Sequence, residues 1–102
     1  MICAPYYAPQ MIRSVRGAAT RQFIESGKSK FSGLDDRLAR RRLSALNVAR
    51  KLDDLSRLRS VGLHKLSGDR SGYWAIRVNG PWRIVFRFDA GDAFEVEIVD
   101  YH

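Results

Sequence analysis

The spacing of apolar residues changes period midway along the chain. Between residues 34 and 58 it is helical: Leu38, Ala45, Ala49 and Leu52 fall at i, i+7, i+11 and i+14 on one face, and Ala39, Leu43 and Leu46 widen it. Arg42 would sit inside that apolar arc if the helix were continuous. Asn47 is a natural N-cap, so the pattern predicts two helices, 35–46 and 48–56, with a break at Asn47. Arg37, Arg40 and Arg41 then lie on the wet side. Upstream, residues 11–16 alternate Ile12 and Val15 with basic positions and predict a short strand ended by Gly17. Residues 18–25 predict a short helix with Phe23 and Ile24 facing inward. Residues 26–33 form a basic, Gly/Ser-rich connection. Residues 1–10 carry two prolines and no periodicity, and read as a disordered leader to a single domain over 11–102.

From Leu63 onward the period is two. Strands are predicted over 63–66, 73–78, 82–88 and 93–99, with a loop at 67–72 and tight turns at 79–81 and 89–92. Side chains alternate across a strand, so parity assigns the faces. Trp74, Ile76, Val78, Trp82, Ile84, Phe86, Phe88, Phe94, Val96 and Ile98 share one face. Tyr73, Arg77, Arg83, Val85, Arg87, Glu95, Glu97 and Tyr101 share the other. The oily face needs a cover, and the helices supply it. The fold class is therefore α+β, a small antiparallel sheet with two or three helices packed on one face.

The turns also set a register. Val78 opposite Trp82 places Arg77 opposite Arg83. Phe88 opposite Phe94 places Arg87 opposite Glu95 and Arg83 opposite Val99. Like charges directly opposite are destabilising. The Arg77–Arg83 pair is tolerated if the register slips, if Glu97 lies diagonal to Arg83 and neutralises it, or if the site holds an anion.

Composition narrows the class. A chain of 102 residues is one domain, and 45% hydrophobic with 28% charged residues is a globular balance. No apolar run approaches the roughly 20 residues of a membrane span. Cys3 is the single cysteine, which excludes an internal disulfide framework and a thiolate metal cluster. The chain reads as soluble and cytoplasmic. Eighteen basic against eleven acidic residues give a formal charge of +7, and fourteen of the eighteen are arginine. A small basic domain suits a polyanionic partner, and arginine meets phosphate bidentately. A GC-rich coding sequence would also inflate arginine, so the ratio does not choose the partner.

His64 and His102 are the two histidines, the side chains poised near neutral pH. With Arg83 and Tyr101 on one sheet surface they would make a constellation able to bind and work on phosphate. A histidine or tyrosine moves protons, and an arginine stabilises charge at a pentacoordinate phosphorus. No metal-ligand spacing is visible. The simplest chemistry is RNA cleavage in which the ribose 2′-OH attacks the adjacent phosphate, leaving a 2′,3′-cyclic phosphate and a 5′-OH, without cofactor.

Three runs carry a family resemblance: G-D-R-x-G-Y-W at 68–74, N-x-x-W-R-I-x-F at 79–86, and D-Y-H at 100–102. Over 11–102 the chain resembles the HigB toxins of type II toxin–antitoxin modules, within the RelE/ParE superfamily. The resemblance implies a RelE-like microbial RNase fold and a ribosome-dependent mRNA endonuclease that cuts the codon in the A site of the 70S ribosome. It implies functional roles for His64, Arg83, Asp100, Tyr101 and His102. The histidines would handle protons, Arg83 would hold the scissile phosphate, and Tyr101 would orient or stack on the nucleotide. It also implies a HigA-like helix-turn-helix antitoxin that inhibits the toxin and binds operator DNA. Lys28, Lys30, Arg37, Arg40, Arg41, Lys65, Arg70 and Arg77 are the candidate contacts to ribosomal RNA and mRNA. In one respect the chain departs from the pattern: Ser67 stands where some HigB proteins carry a basic residue, with Lys65 and Arg70 nearby.

Two other classes compete. One is a ParE-like inhibitor of a protein such as DNA gyrase, which has no need of titratable groups clustered with Arg83. The other is a non-catalytic nucleic-acid-binding module, which lacks a recognition helix on a helix-turn-helix scaffold.

Overall fold

The computed structural model describes residues 12–58 and 61–101, with Arg70 described in its backbone alone. The leader expected over 1–10, Met11 and His102 lie outside the described residues. Among the described residues three α-helices, α1 (Ala18–Ser26), α2 (Asp36–Val48) and α3 (Leu52–Ser56), precede four strands, β1 (His64–Lys65), β2 (Tyr73–Arg77), β3 (Trp82–Asp89) and β4 (Asp92–Asp100). The strands form one antiparallel sheet in the order β1-β2-β3-β4. The expected α+β architecture is thus present.

α1 follows Gly17 and stops at Gly27, whose left-handed φ of 77° lets its N–H return to the Phe23 carbonyl at 2.9 Å. Its inner positions are Thr20 and Phe23, one turn apart. Ile24, expected inward, is 39% exposed, because the next 100° of helix rotation carries it past the core. The Thr20 hydroxyl accepts the Ile98 N–H at 3.1 Å and fastens α1 to β4.

α2 starts where Asp35 caps it, its carboxylate accepting the Leu38 N–H at 3.0 Å. The helix runs through Asn47 to Val48, so the expected break at Asn47 is displaced to 49–51. Asn47 does not cap, because its Oδ1 accepts the Ile12 N–H at 3.3 Å instead. Asp54 takes over the start of α3, accepting from the Arg50 and Lys51 N–H groups at 2.9 and 3.3 Å. Arg42 does fall within the apolar arc, 9% exposed, and its Nε donates to the Arg77 carbonyl at 3.0 Å.

The core lies between the helices and the sheet. Phe23, Ala39, Leu43, Leu46 and Leu55 pack on Ile76, Ile84, Phe86, Val96 and Ile98. Each Leu, Ile, Val or Phe side chain so buried contributes about 1.5–3 kcal/mol of transfer free energy. The opposite face is less polar than parity implied, for Leu66, Ala75 and Val85 are buried there, with Tyr73 and Val99 packed against them.

β2 and β3 pair in the expected register, Arg77 opposite Arg83. Between β3 and β4, Arg83 faces Val99 as expected, but the register shifts between Val85 and Arg87. Glu95, with φ +55°, is the additional residue of a bulge. Parity inverts before it. Ala93 therefore enters the core, and Phe94, expected inside, comes out beneath Arg87, whose guanidinium carbon is 4.7 Å from its ring centre. Arg87 stands opposite Phe94 rather than Glu95, yet it still reaches Glu95 at 3.7 Å.

Residues 12–16 are extended and lie parallel to β4, with Ile12 against Ala93 and Val15 against Val96. Arg13 and Arg16 donate to the Ala93 and Val96 carbonyls at 2.7 and 2.9 Å, and Val96 donates to Ser14 at 3.0 Å. No helix among the described residues is long and apolar enough to cross a membrane.

Candidate active site

On the face away from the helices, the strand ends build a cleft of about 380 Å³ lined by Gly62, Leu63, His64, Ala75, Arg77, Arg83 and Tyr101. Each functional side chain comes from a different strand. β1 is only two residues long, and its pairing of His64 with Ala75 points the imidazole to this face. β2 brings Arg77, β3 brings Arg83, and Tyr101 follows the last residue of β4.

The Arg77–Arg83 pair is of the close kind. Arg77 turns its N–H away from β3 to the Val61 carbonyl at 2.7 Å, while Val78 donates to Trp82 at 3.0 Å. The two arginines are therefore a non-hydrogen-bonded pair, in which opposing side chains lie nearest. Glu97 stands opposite Val85 and so lies diagonal to Arg83 as considered, but the two form no ion pair, and neither arginine makes an ion pair among the described residues. Nη1 of Arg83 donates to the Gly80 and Trp82 carbonyls at 2.8 and 2.9 Å, which fixes the plane of the guanidinium. Its Nε and Nη2 are without protein partners among the described residues, a pair of donors with the geometry of a phosphate edge.

Tyr101 is 43% exposed, and its N–H donates to the Pro81 carbonyl at 2.7 Å, which fixes the chain direction at the end of β4. Asp100 stands opposite Trp82 at the same end of the sheet. His102, the next residue after Tyr101, lies outside the described residues.

The structure thus brings together His64, Arg77, Arg83 and Tyr101 of the sequence-predicted site. Of the remaining basic candidates, Arg70 is described in its backbone alone, at the end of the short helical turn Gly68–Arg70, and the others lie elsewhere. Lys65, next to His64, points to the opposite face, its Nζ 5.9 Å from the Trp74 ring centre. Lys28 and Lys30 are exposed on the connection between α1 and α2. Arg37 and Arg41 lie on the outer side of α2, across the core from the cleft. Arg40 is engaged in the fold, donating to the Gly27 carbonyl at 2.8 Å with its guanidinium carbon 5.2 Å from the Phe23 ring centre. What sequence reasoning missed are the carbonyls of the β2–β3 turn. The Asn-Gly-Pro run directly before Trp82-Arg83 signalled a turn, but not that the carbonyls from Gly80 to Trp82 hold Arg83 and Tyr101.

Further along the same face, the Tyr73 hydroxyl donates to Glu95 at 2.8 Å. That hydrogen bond first, and burial second, raise the Tyr73 pKa above its ordinary 10.0.

Chemically, the cleft combines a titratable imidazole, two guanidiniums and a phenol around a space large enough for a nucleotide phosphate. Residues 14–102 match the family described as the RelE-like toxin of the type II toxin–antitoxin system HigB. The endoribonuclease HigB of Proteus vulgaris is 38% identical over 93 residues, covering 90% of this chain and 100% of its own length.

Proposed function

The chain belongs to the HigB-like family of RelE-like toxins of type II toxin–antitoxin systems, and from that premise we propose that it is a ribosome-dependent mRNA endonuclease working without a metal ion. The observation that carries this reading is the convergence of His64, Arg77, Arg83 and Tyr101 on one cleft.

In this reaction the ribose 2′-oxygen attacks the adjacent phosphorus. A base takes the 2′-hydroxyl proton, the bond to the 5′-oxygen breaks, and an acid protonates the leaving 5′-oxygen. The products are a 2′,3′-cyclic phosphate and a 5′-OH. His64 and His102 share the two proton transfers, the imidazole being the side chain best matched to both at neutral pH. Arg83 holds the non-bridging phosphate oxygens through Nε and Nη2, and Arg77 adds charge beside it. The negative charge that builds at phosphorus relieves the repulsion between the two guanidiniums, so their attraction to the transition state exceeds that to the ground state. Tyr101 orients or stacks on the nucleotide, and Asp100 completes the strand end that holds it.

Cleavage in the ribosomal A site explains why a cleft this open can act selectively, since the ribosome presents the mRNA in a fixed path. Lys28, Lys30, Arg37 and Arg41 supply the basic surface for ribosomal RNA, and the protein acts in the cytoplasm where ribosomes are. An antitoxin holds a toxin of this type in check, and a helix-turn-helix protein of the HigA type fits that role.

The test is cleavage of a defined mRNA, free and on programmed 70S ribosomes, each with and without EDTA in excess over added divalent ions, using ribosomes cross-linked to remain intact. Cuts within the A-site codon, seen on ribosomes alone and unchanged by EDTA, are expected. Cleavage of free mRNA would overturn ribosome dependence, and inhibition by EDTA would overturn metal independence. No cleavage at all would favour the gyrase-type alternative.

A further inference from the structure

The β2–β3 turn is bolted to the helical layer on one side and holds two cleft residues, Arg83 and Tyr101, on the other. Asn79 uses both ends of its amide. Its Oδ1 accepts the Asp35 N–H at 2.8 Å, and its Nδ2 donates to the Gly33 carbonyl at 2.9 Å. These partners lie 44 and 46 residues away in sequence, so the bonds are tertiary and not part of the turn itself. Asp35 is in turn the cap of α2. Trp82 makes a second bolt, its indole N–H donating to the Ser32 carbonyl at 3.2 Å while its ring meets Phe31 edge-on at 5.4 Å. The turn is closed between the bolts by the Trp82 N–H on the Asn79 carbonyl at 2.8 Å.

Three consecutive carbonyls of this turn serve the cleft. Gly80 and Trp82 hold Nη1 of Arg83, and Pro81 holds the Tyr101 N–H. Two cleft residues from different strands therefore take their positions from one short piece of backbone. A carbonyl orients a guanidinium only as well as the carbonyl itself is held. Asn79, itself half-buried, holds the near end of that backbone with two neutral hydrogen bonds that are exposed to solvent.

We infer that Asn79 is a positioning residue of the active site: by fixing the β2–β3 turn to the start of α2, it sets the guanidinium plane of Arg83 and the placement of Tyr101. Removing its side chain frees the Asp35 N–H and the Gly33 carbonyl, and leaves the turn held at Trp82. Gly80 is then at liberty to rotate, and Arg83 follows it. The inference deepens the proposed function, on which its kinetic part rests.

The experiment compares the full-length wild-type chain with Asn79→Ala, with Asn47→Ala as control. Asn47 also makes a side-chain hydrogen bond to a distant N–H, that of Ile12, but away from the cleft. Two readouts are taken. The first is the cross-peaks of the Arg83 Nε–H and the Tyr101 amide in ¹⁵N-labelled protein, with hydrogen exchange at Tyr101. The second is kcat and KM on programmed ribosomes. Asn79→Ala is expected to move both cross-peaks, to speed exchange at Tyr101, and to lower kcat on the order of 10–100-fold with KM changed far less. Asn47→Ala is expected to lower thermal stability with the cleft signals and kcat of wild type. Should Asn79→Ala not fold, Asn79→Asp replaces it, keeping the volume and the acceptor for Asp35. Unmoved Arg83 and Tyr101 signals, or a kcat within about twofold of wild type, would overturn the inference. A wild-type chain that cuts no RNA would overturn the proposed function, and the cross-peaks would still decide the role of Asn79.

Discussion

Arg77 and Arg83 stand directly opposite one another on β2 and β3, and among the described residues neither is paired with an acid. A cross-strand pair of like charges costs up to about 1 kcal/mol relative to a neutral pair. The cost is incurred in the empty protein and is recovered when a dianion or a phosphoryl transition state lies between the two. Arg83→Ala should therefore fold with stability equal to or above wild type, while cleavage falls on the order of 10²–10³-fold. Thermal unfolding and single-turnover cleavage on programmed ribosomes check the two halves. A folded variant that cuts at the wild-type rate would remove Arg83 from the chemistry.

Arg37 and Arg41 lie on the outer surface of α2, away from the cleft. If this surface meets ribosomal RNA while the cleft meets mRNA, each arginine contributes to counterion release. The double variant Arg37→Ala/Arg41→Ala should weaken ribosome binding and lower the slope of log affinity against log salt by about 1.4–1.8. Binding measured by sedimentation from low to high salt checks this, and an unchanged slope would place the docking surface elsewhere. Arg40 is a poor choice for the same test, because its loss also removes a bond to Gly27 and a stacking contact with Phe23.

The basic run on α2 was legible in sequence because a helix has one period, and Arg42 alone broke it. Its burial could be foreseen; its partner, the Arg77 carbonyl 35 residues on, could not. The same holds for Asn47. Its identity favours a cap, but a distant N–H claims its oxygen, and the helix runs on. The strands were read well as far as Val85, since Ile84 and Phe86 go inward and Arg83 outward without interruption. Phe94 was misplaced because the bulge at Glu95 carries no glycine to signal it. In the cleft, parity put Arg77, Arg83 and Tyr101 on one surface, and the register of β1 added His64. The turn carbonyls were invisible, because backbone oxygens have no letter in the sequence.

Glu95 occupies a left-handed backbone conformation, φ +55°, that costs a non-glycine residue about 1 kcal/mol. Its side chain offsets this through Tyr73 and Arg87. Glu95→Ala loses those contacts and keeps the strain, whereas Glu95→Gly loses the contacts and the strain together. Glu95→Gly should therefore be the more stable of the two by about 1 kcal/mol, as read from urea unfolding midpoints. Equal midpoints would show that the bulge is held without strain.

The Tyr73–Glu95 bond also gives the stability a pH dependence. The raised pKa means that the folded chain holds the phenolic proton more tightly than the unfolded chain does. Its contribution is complete below pH 10 and is lost as pH rises through the folded value above 10. The stability difference between wild type and Tyr73→Phe should be flat from neutral pH to about 10 and shrink beyond it. A difference that grows with alkaline pH would reverse the assigned sign.

The strip formed by residues 12–16 makes β4 an interior strand. Between Ala93 and Ile98, its outward backbone groups are taken by Arg13, Ser14, Arg16 and the Thr20 hydroxyl, all from the first fifth of the chain. Without them β4 would offer a nine-residue template of unpaired donors and acceptors to any passing strand. Loosening this strip would therefore turn a folded chain into a seed for intermolecular pairing before it cost the cleft any of its geometry. Ile12 and Ala93 are separated by most of the domain, so closing this seam is the contact least favoured by chain entropy during folding. A newly made chain is consequently most exposed to self-association in the interval before its two distant segments meet.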